Sequence, residues 1–281
     1  MVVMLDTIAH RWLRIPYSLN VHFADRPKNP RATILFIHGI GNTGGAWDEV
    51  VAKLPKDVYV VSIDLLGFGS SPSPSWALYD AKTQARSVLA TIFKLRVTGP
   101  IIIVGHSLGS LVAIEIAKRY PLLVKSLILC SPPLYSSVKK TSLLPSSDAL
   151  LRKLYASAAK RPDDFLKLAA IAMKYDLINK SFNVTPENVD SYMSALQSMI
   201  INQTSLEDAA KLKVPTVVLK GTLDPFVVSK NLKELSKRNR NITLKTVIAG
   251  HEVNGLFVGA VVNTVMKSLP EKRKRAIKGI V

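Results

Sequence analysis

The stretch Ile101-Ile102-Ile103-Val104-Gly105-His106-Ser107-Leu108-Gly109-Ser110 constrains this chain more than any other. Its β-branched run reads as a strand buried on both faces, as in a parallel sheet. Leu111 to Arg119 carries apolar residues at helical spacing until Tyr120-Pro121 stops it. Between strand and helix lies G-x-S-x-G. A serine there is lifted on a strained strand-to-helix turn, and the glycines let backbone pass where a side chain would collide. The turn presents the Ser107 hydroxyl at the carboxyl end of the strand and aims a helix N-terminus at it, which favours negative charge. By chance the pattern occurs in roughly one chain of this length in ten. The plain alternative is a glycine-rich turn in some other α/β protein, and the rest of the chain must arbitrate.

A chain of 281 residues, 48% of them hydrophobic, makes one large domain or one domain carrying an insertion. No apolar run reaches the ~18 residues of a membrane span; Gly255 to Met266 comes nearest and is interrupted. The first residues lack a basic region followed by a continuous apolar core, so no secretory signal is expected. Cys130 is the single cysteine, which excludes an internal disulfide and suits a reducing cytoplasm. It closes the apolar run Leu127-Ile128-Leu129 and reads as buried packing.

Trp12 to Phe23 alternates loosely and turns near Ser18-Leu19-Asn20, which predicts an opening antiparallel hairpin. Thr33 to Ile37 and Val58 to Ile63 read as buried strands, with a helix around Trp47, Val50, Val51 and Leu54 between them. Asp80 to Leu95 is helical, and Val124 to Cys130 is a further strand. Strand, loop and helix alternate, so the fold class is α/β: a mostly parallel sheet with helices on both faces. After Pro132-Pro133 the pattern turns all-helical until about Leu212. Within that block Thr185-Pro186 reads as a cap and first-turn proline, and Ser205-Leu206-Glu207-Asp208 opens a short helix. Val214 to Leu219, Ser229 to Arg238, Ile242 to Ile248 and Glu252 to Leu269 then resume strand, helix, strand and helix. The predicted organisation is a core in two parts, residues 1–132 and 213–281, around a helical cap inserted at residues 133–212.

A serine hydroxyl is a poor nucleophile until a base takes its proton, and the base needs an orienting carboxylate. On a strand-to-helix turn of this kind the partners follow in the order acid, then histidine. Asp224 lies in Lys220-Gly221-Thr222-Leu223-Asp224-Pro225, just beyond one strand, and His251 just beyond the next. Both are at strand carboxyl ends, where open α/β sheets bind ligands. Taken singly, Asp224 is a turn residue and His251 a solvated cap; the order and equivalent positions make chance a poor explanation. An oxyanion would be held by the Leu108 N–H and by Ile40 N–H in the loop His38-Gly39-Ile40-Gly41.

His38-Gly39, Asp64 with Gly67-x-Gly69-x-Ser71, Gly105-His106-Ser107-Leu108-Gly109, Gly221-x-x-Asp224 and Gly250-His251 together resemble the α/β-hydrolase-fold family, in its capped, carboxylesterase-like form. The resemblance implies a serine hydrolase with Ser107, His251 and Asp224 catalytic, working without cofactor or metal. It gives Asp64 and His106 structural roles. Relatives that are epoxide hydrolases or haloalkane dehalogenases carry aspartate at the nucleophile, which Ser107 argues against. Some relatives place the acid after the strand Val124 to Cys130, but Ser131-Pro132-Pro133 offers no carboxylate there.

The expected substrate is a small-molecule carboxylic ester of a small or medium apolar acid. A carbon–carbon bond, a lipid or a thioester would use the same parts, and a non-catalytic receptor on this fold would not need all three residues. Met173, Met193 and Met199, with Phe165, Tyr175 and Tyr192, either line an acyl tunnel or pack a helical core. Trp47 reads as the anchor of its helix. A net charge of +18 concerns partners, not fold. Basic residues gather at Lys230 to Lys245 and Lys267 to Lys278, either as a solvated face or as a weak contact with an anionic membrane or an acidic carrier protein. No nucleic-acid recognition motif accompanies them, so no specific nucleic acid is expected.

Overall fold

A computed structural model describes residues 5–136, 147–161, 180–186 and 188–271, together with Asp164, Lys167 and Ile171. Met173, Phe165, Tyr175 and the basic run from Lys272 to Lys278 lie outside the described residues.

Among the described residues seven strands form one sheet: β1 (Val21–Asp25), β2 (Thr33–Ile37), β3 (Tyr59–Ile63), β4 (Ile101–His106), β5 (Val124–Cys130), β6 (Thr216–Gly221) and β7 (Ile242–Val247). Their order across the sheet is β1-β3-β2-β4-β5-β6-β7. All neighbours are parallel except β1, which runs antiparallel to β3 at one edge. In β2, β3 and β4 every residue is buried, because helices cover both faces and leave no position for a polar side chain to reach water.

The α-helices bounded by described residues are α1 (Asp48–Val51), α2 (Ala81–Lys94), α3 (Leu108–Arg119), α4 (Ser147–Ala159), α5 (Val189–Ala195), α6 (Ser205–Ala209), α7 (Ser229–Arg238) and α8 (Leu256–Ser268). On one face α2 and α3 pack against Leu35, Ile37, Ile103 and Leu129 of the sheet. On the other, Phe257, Val261 and Val265 of α8 form one stripe at helical spacing and meet Phe36, Ile102, Val104 and Ile128. Trp47 and Cys130 are fully buried in this second cluster, so Trp47 anchors its short helix against Phe36, with ring centroids 5.0 Å apart. Asp80 caps α2 by accepting the Thr83 N–H at 2.7 Å.

The opening hairpin is not formed. Thr7–Trp12 is a π-helical turn, and only Val21–Asp25 becomes a strand. The partner of that strand is β3, far along the chain, so the local alternation that suggested a hairpin reflects pairing with a distant edge.

Between Cys130 and Thr216 the described residues contain helices and loops but no strand. Thr185-Pro186 does not open a helix: α5 starts later, at Val189, after a turn in which the Thr185 N–H donates to Asn188 Oδ1 at 2.8 Å. Residues of this block dock onto the loop after β2. The Asn183 N–H donates to the Gly41 carbonyl at 2.7 Å, and the Ser181 hydroxyl to Asn42 Oδ1 at 3.0 Å. Met199 is buried in the main core cluster and Met193 packs against it, so both take part in packing. Among the described residues, no helix is long and apolar enough to cross a membrane.

Candidate active site

Ser107 follows β4 with φ 48° and ψ −118°, a conformation that a non-glycine residue adopts only when its surroundings hold it there. The surroundings do. The Ser107 N–H donates to the Cys130 carbonyl of β5 at 2.8 Å, and α3 begins at once with Leu108. Gly105 and Gly109 allow this crowding. A Cβ on Gly109 would lie 2.4 Å from the Ile37 carbonyl oxygen, and one on Gly105 2.6 Å from that of Gly109. Helix and strands therefore approach backbone to backbone beneath the serine.

The ends of β6 and β7 bring the other two side chains in. His251 Nε2 lies 3.1 Å from Ser107 Oγ, and His251 Nδ1 lies 3.0 and 2.9 Å from the two Asp224 oxygens. Gly221 is what lets these loops meet, since a Cβ there would sit 2.1 Å from the Gly250 carbonyl oxygen. The Asp224 side chain is fully buried. Burial alone would raise its pKa. The hydrogen bond and charge of His251 outweigh that, aided by Ser131 and the Phe226 N–H, and hold the carboxyl below its usual range. Its Oδ1 accepts the Phe226 N–H at 2.9 Å, while the buried Ser131 hydroxyl acts from nearby without completing a hydrogen bond.

Ile40 lies in the loop leaving β2 and Leu108 at the first position of α3. A Cβ on Gly39 would approach Ser107 Cβ to 3.2 Å, so the Gly39–Ile40 peptide runs beside the serine. Among the described residues neither the Ile40 nor the Leu108 amide is hydrogen-bonded to another backbone group.

Two histidines brace the site. The Leu65 N–H donates to His38 Nε2 at 2.8 Å, so His38 Nδ1–H must donate to the Gly39 carbonyl at 2.7 Å. The imidazole is thus a neutral strut between the end of β3 and the loop that carries Ile40. His106 Nε2 lies 2.9 Å from the His251 carbonyl oxygen and ties the loop after β7 to β4. Asp64, beside them, accepts the Gly44 N–H at 2.7 Å, Asn20 Nδ2 at 2.8 Å and the Ser70 N–H at 2.9 Å. It is a structural clamp.

Burial pushes the His38 pKa down to about 4; the Gly39 carbonyl and Asp64 oppose this and His106 adds to it. An unfolded histidine protonates near about 6.5. The neutral strut therefore contributes fully above that pH, and its contribution is lost as pH falls toward about 4, by up to about 3 kcal/mol. His106 is lowered by burial in the same direction. Urea titrations at about pH 7 and about pH 5 should show a shallower pH dependence for His38→Gln than for the parent. Equal slopes would refute the assignment.

Aromatic side chains lie beside His251 and over the loop after β2. The Phe226 ring stands edge-on to His251 with centroids 5.0 Å apart, and Tyr155 of α4 packs on Phe226 at 6.2 Å. Phe182 fills the space over Gly41, where φ is +75° and a Cβ would lie 2.3 Å from the ring, and its far edge meets Tyr192 of α5. Neither Phe182 nor Phe226 was identifiable from sequence, because each reaches the site through a loop. Among the described residues no group of three or more His, Cys, Asp or Glu side chains converges as a metal site would.

Comparison with known proteins adds kinship to geometry. The model of the alpha/beta hydrolase family matches residues 34–257. A protein named probable lysophospholipase BODYGUARD 4, from Arabidopsis thaliana, is 34% identical over 119 residues, 42% of this chain and 28% of that protein. The match thus spans less than a third of that curated relative. Among solved structures, a thermophilic esterase from Thermogutta terrifontis superposes with a TM-score of 0.69 at 19% identity, covering 86% of this chain and 92% of the other. The enol-lactonase of Burkholderia xenovorans gives 0.67 at 21% identity, covering 90% and 99%. At these identities the two structures speak to the fold alone.

Proposed function

We infer the activity from a plain premise: this chain belongs to the alpha/beta hydrolase family. We propose that it is a serine hydrolase that cleaves a carboxylic ester of a small or medium apolar acid. The observation that carries the proposal is the unbroken line from Asp224 through His251 to Ser107, ending on a strained turn. Ser107 Oγ attacks the ester carbonyl while His251 Nε2 takes the hydroxyl proton. Asp224 keeps the Nδ1 proton facing itself, so that Nε2 is free to accept. The N–H groups of Ile40 and Leu108 hold the oxyanion as the carbonyl becomes tetrahedral. The carbon–oxygen bond then breaks, the leaving alcohol takes the proton from His251, and acyl-Ser107 remains. Water, deprotonated by His251, releases the acid and restores the hydroxyl.

Residues 133–212 form the cap in this proposal. Support comes from Phe182, Tyr192 and Tyr155, apolar rings carried by the block toward the oxyanion loop and Phe226. Such walls favour an apolar acyl group and exclude water from the acyl-enzyme. Buried, reduced Cys130 suits a cytoplasmic setting for this reaction. A lipid ester is the second reading, favoured by the relative named as a lysophospholipase.

The test is a panel of esters of increasing acyl length, run beside a lysophospholipid, an acyl thioester and a vinylogous diketone. The expected result is a maximum at short to medium acyl chains, with the acetyl ester cleaved. Turnover of the diketone or thioester alone would replace the ester reading.

A further inference from the structure

We propose that the tip Arg11-Trp12-Leu13-Arg14-Ile15 is a docking surface for an anionic lipid membrane, inserting Trp12, Leu13 and Ile15 between headgroups that Arg11 and Arg14 bind. All five residues of the tip are exposed. Trp12 is 73% exposed, Leu13 66% and Ile15 50%, and Leu5, at the start of the same segment, is 57% exposed. Nowhere else among the described residues do three large exposed apolar side chains fall so close together in sequence. Isolated exposures are ordinary, but three within four residues form a patch.

The tip is held rigidly. The Leu13 N–H donates to the Ile8 carbonyl at 2.9 Å and the Ile15 N–H to that of Ala9 at 3.0 Å. Arg14 turns the chain with φ 56°, and Arg86 of α2 donates to its carbonyl oxygen at 2.7 Å. Behind it, His10 stacks on Tyr17 at 3.7 Å, and the Tyr17 hydroxyl donates to Asp6 at 2.8 Å. Tyr17 itself is in the core. These contacts hold the backbone of the tip while Trp12, Leu13 and Ile15 stay exposed.

Charge selects the occupant. Arg11 and Arg14 alternate with the apolar residues, Arg86 lies directly behind, and the chain as a whole carries +18. A second copy would bring the same charge and be repelled. An acidic protein or a nucleic acid would match the arginines but leave the indole and the aliphatic side chains unsatisfied. A bilayer surface with anionic headgroups satisfies both, since tryptophan favours the interface and arginine reaches headgroups while its stem stays in apolar surroundings.

Flotation of the full chain with phosphatidylcholine vesicles, with and without phosphatidylglycerol, tests this at low salt. The parent should bind only the anionic vesicles. Trp12→Ala combined with Leu13→Ala should weaken partition at least about tenfold, with thermal unfolding and turnover of a soluble ester unchanged. Should that variant fold poorly, Trp12→Phe serves: acyl-brominated lipid should quench part of the parent's fluorescence, and that quenchable part should be missing from the variant's emission. A chain truncated after Pro270 should still show the quenching. Vesicle binding absent in the parent, or unchanged in the double variant, overturns the proposal. So does a double variant whose only change is lost self-association in sedimentation velocity, which would make the tip a protein interface.

Discussion

Ser107→Ala should abolish ester hydrolysis, with turnover falling by about 10⁶, while the protein keeps its fold. The fold survives because the hydroxyl makes one hydrogen bond, to His251, and backbone contacts from β5 and α3 hold the turn. Alanine meets the same φ of 48° as serine, so the substitution adds no new strain. What is lost is the only atom that can form the acyl-enzyme. His251→Ala should cost nearly as much, and the double variant little more than either alone, because members of a triad act as a unit. Covalent labelling by a fluorophosphonate should vanish with the serine. Near wild-type turnover in Ser107→Ala would remove the basis of the mechanism, and stoichiometric ligand binding without turnover in the parent would favour a receptor.

Much of this arrangement is legible in the sequence because parallel sheets bring all their carboxyl ends to one edge. The buried runs Thr33 to Ile37, Tyr59 to Ile63 and Ile101 to Val104 need no knowledge of neighbours to be read as strands. Once they are placed, Ser107, Asp224 and His251 fall on one rim, and the structure puts them in hydrogen-bonding reach. The glycines were legible for the same reason: Gly105 and Gly109 are spaced as backbone-to-backbone contact requires.

The rest depends on pairings that sequence does not carry. The strand at Val21 could be placed only by knowing that the edge of β3 was vacant. His38 was visible as part of a motif, but its role as a strut comes from Leu65, which approaches only when β3 lies beside β2. Phe182 reaches Gly41 from a distant part of the chain. The exposed tip at Trp12 read as part of a hairpin for want of any local sign that its apolar residues would face water.

Asp224→Asn should reduce turnover by about 10⁴ with little change in stability. The carboxylate accepts from His251 Nδ1 with both oxygens and from the Phe226 N–H with one. Asparagine can keep the Phe226 bond, but with Oδ1 so engaged its amide donors face Nδ1. The histidine then settles in the other tautomer, with its proton on Nε2, where it can no longer take the one on Ser107. Ser131, at the end of β5, sits close to Asp224 with φ 49° and a fully buried hydroxyl, followed by Pro132 and Pro133. It can support the charge of Asp224 but cannot replace it, since a hydroxyl does not stabilise an imidazolium as a carboxylate does. The loss should therefore appear in turnover far more than in KM, and the rate of fluorophosphonate labelling should fall with it. A loss smaller than about tenfold, far below the triad precedent, would mean that the orienting acid lies elsewhere.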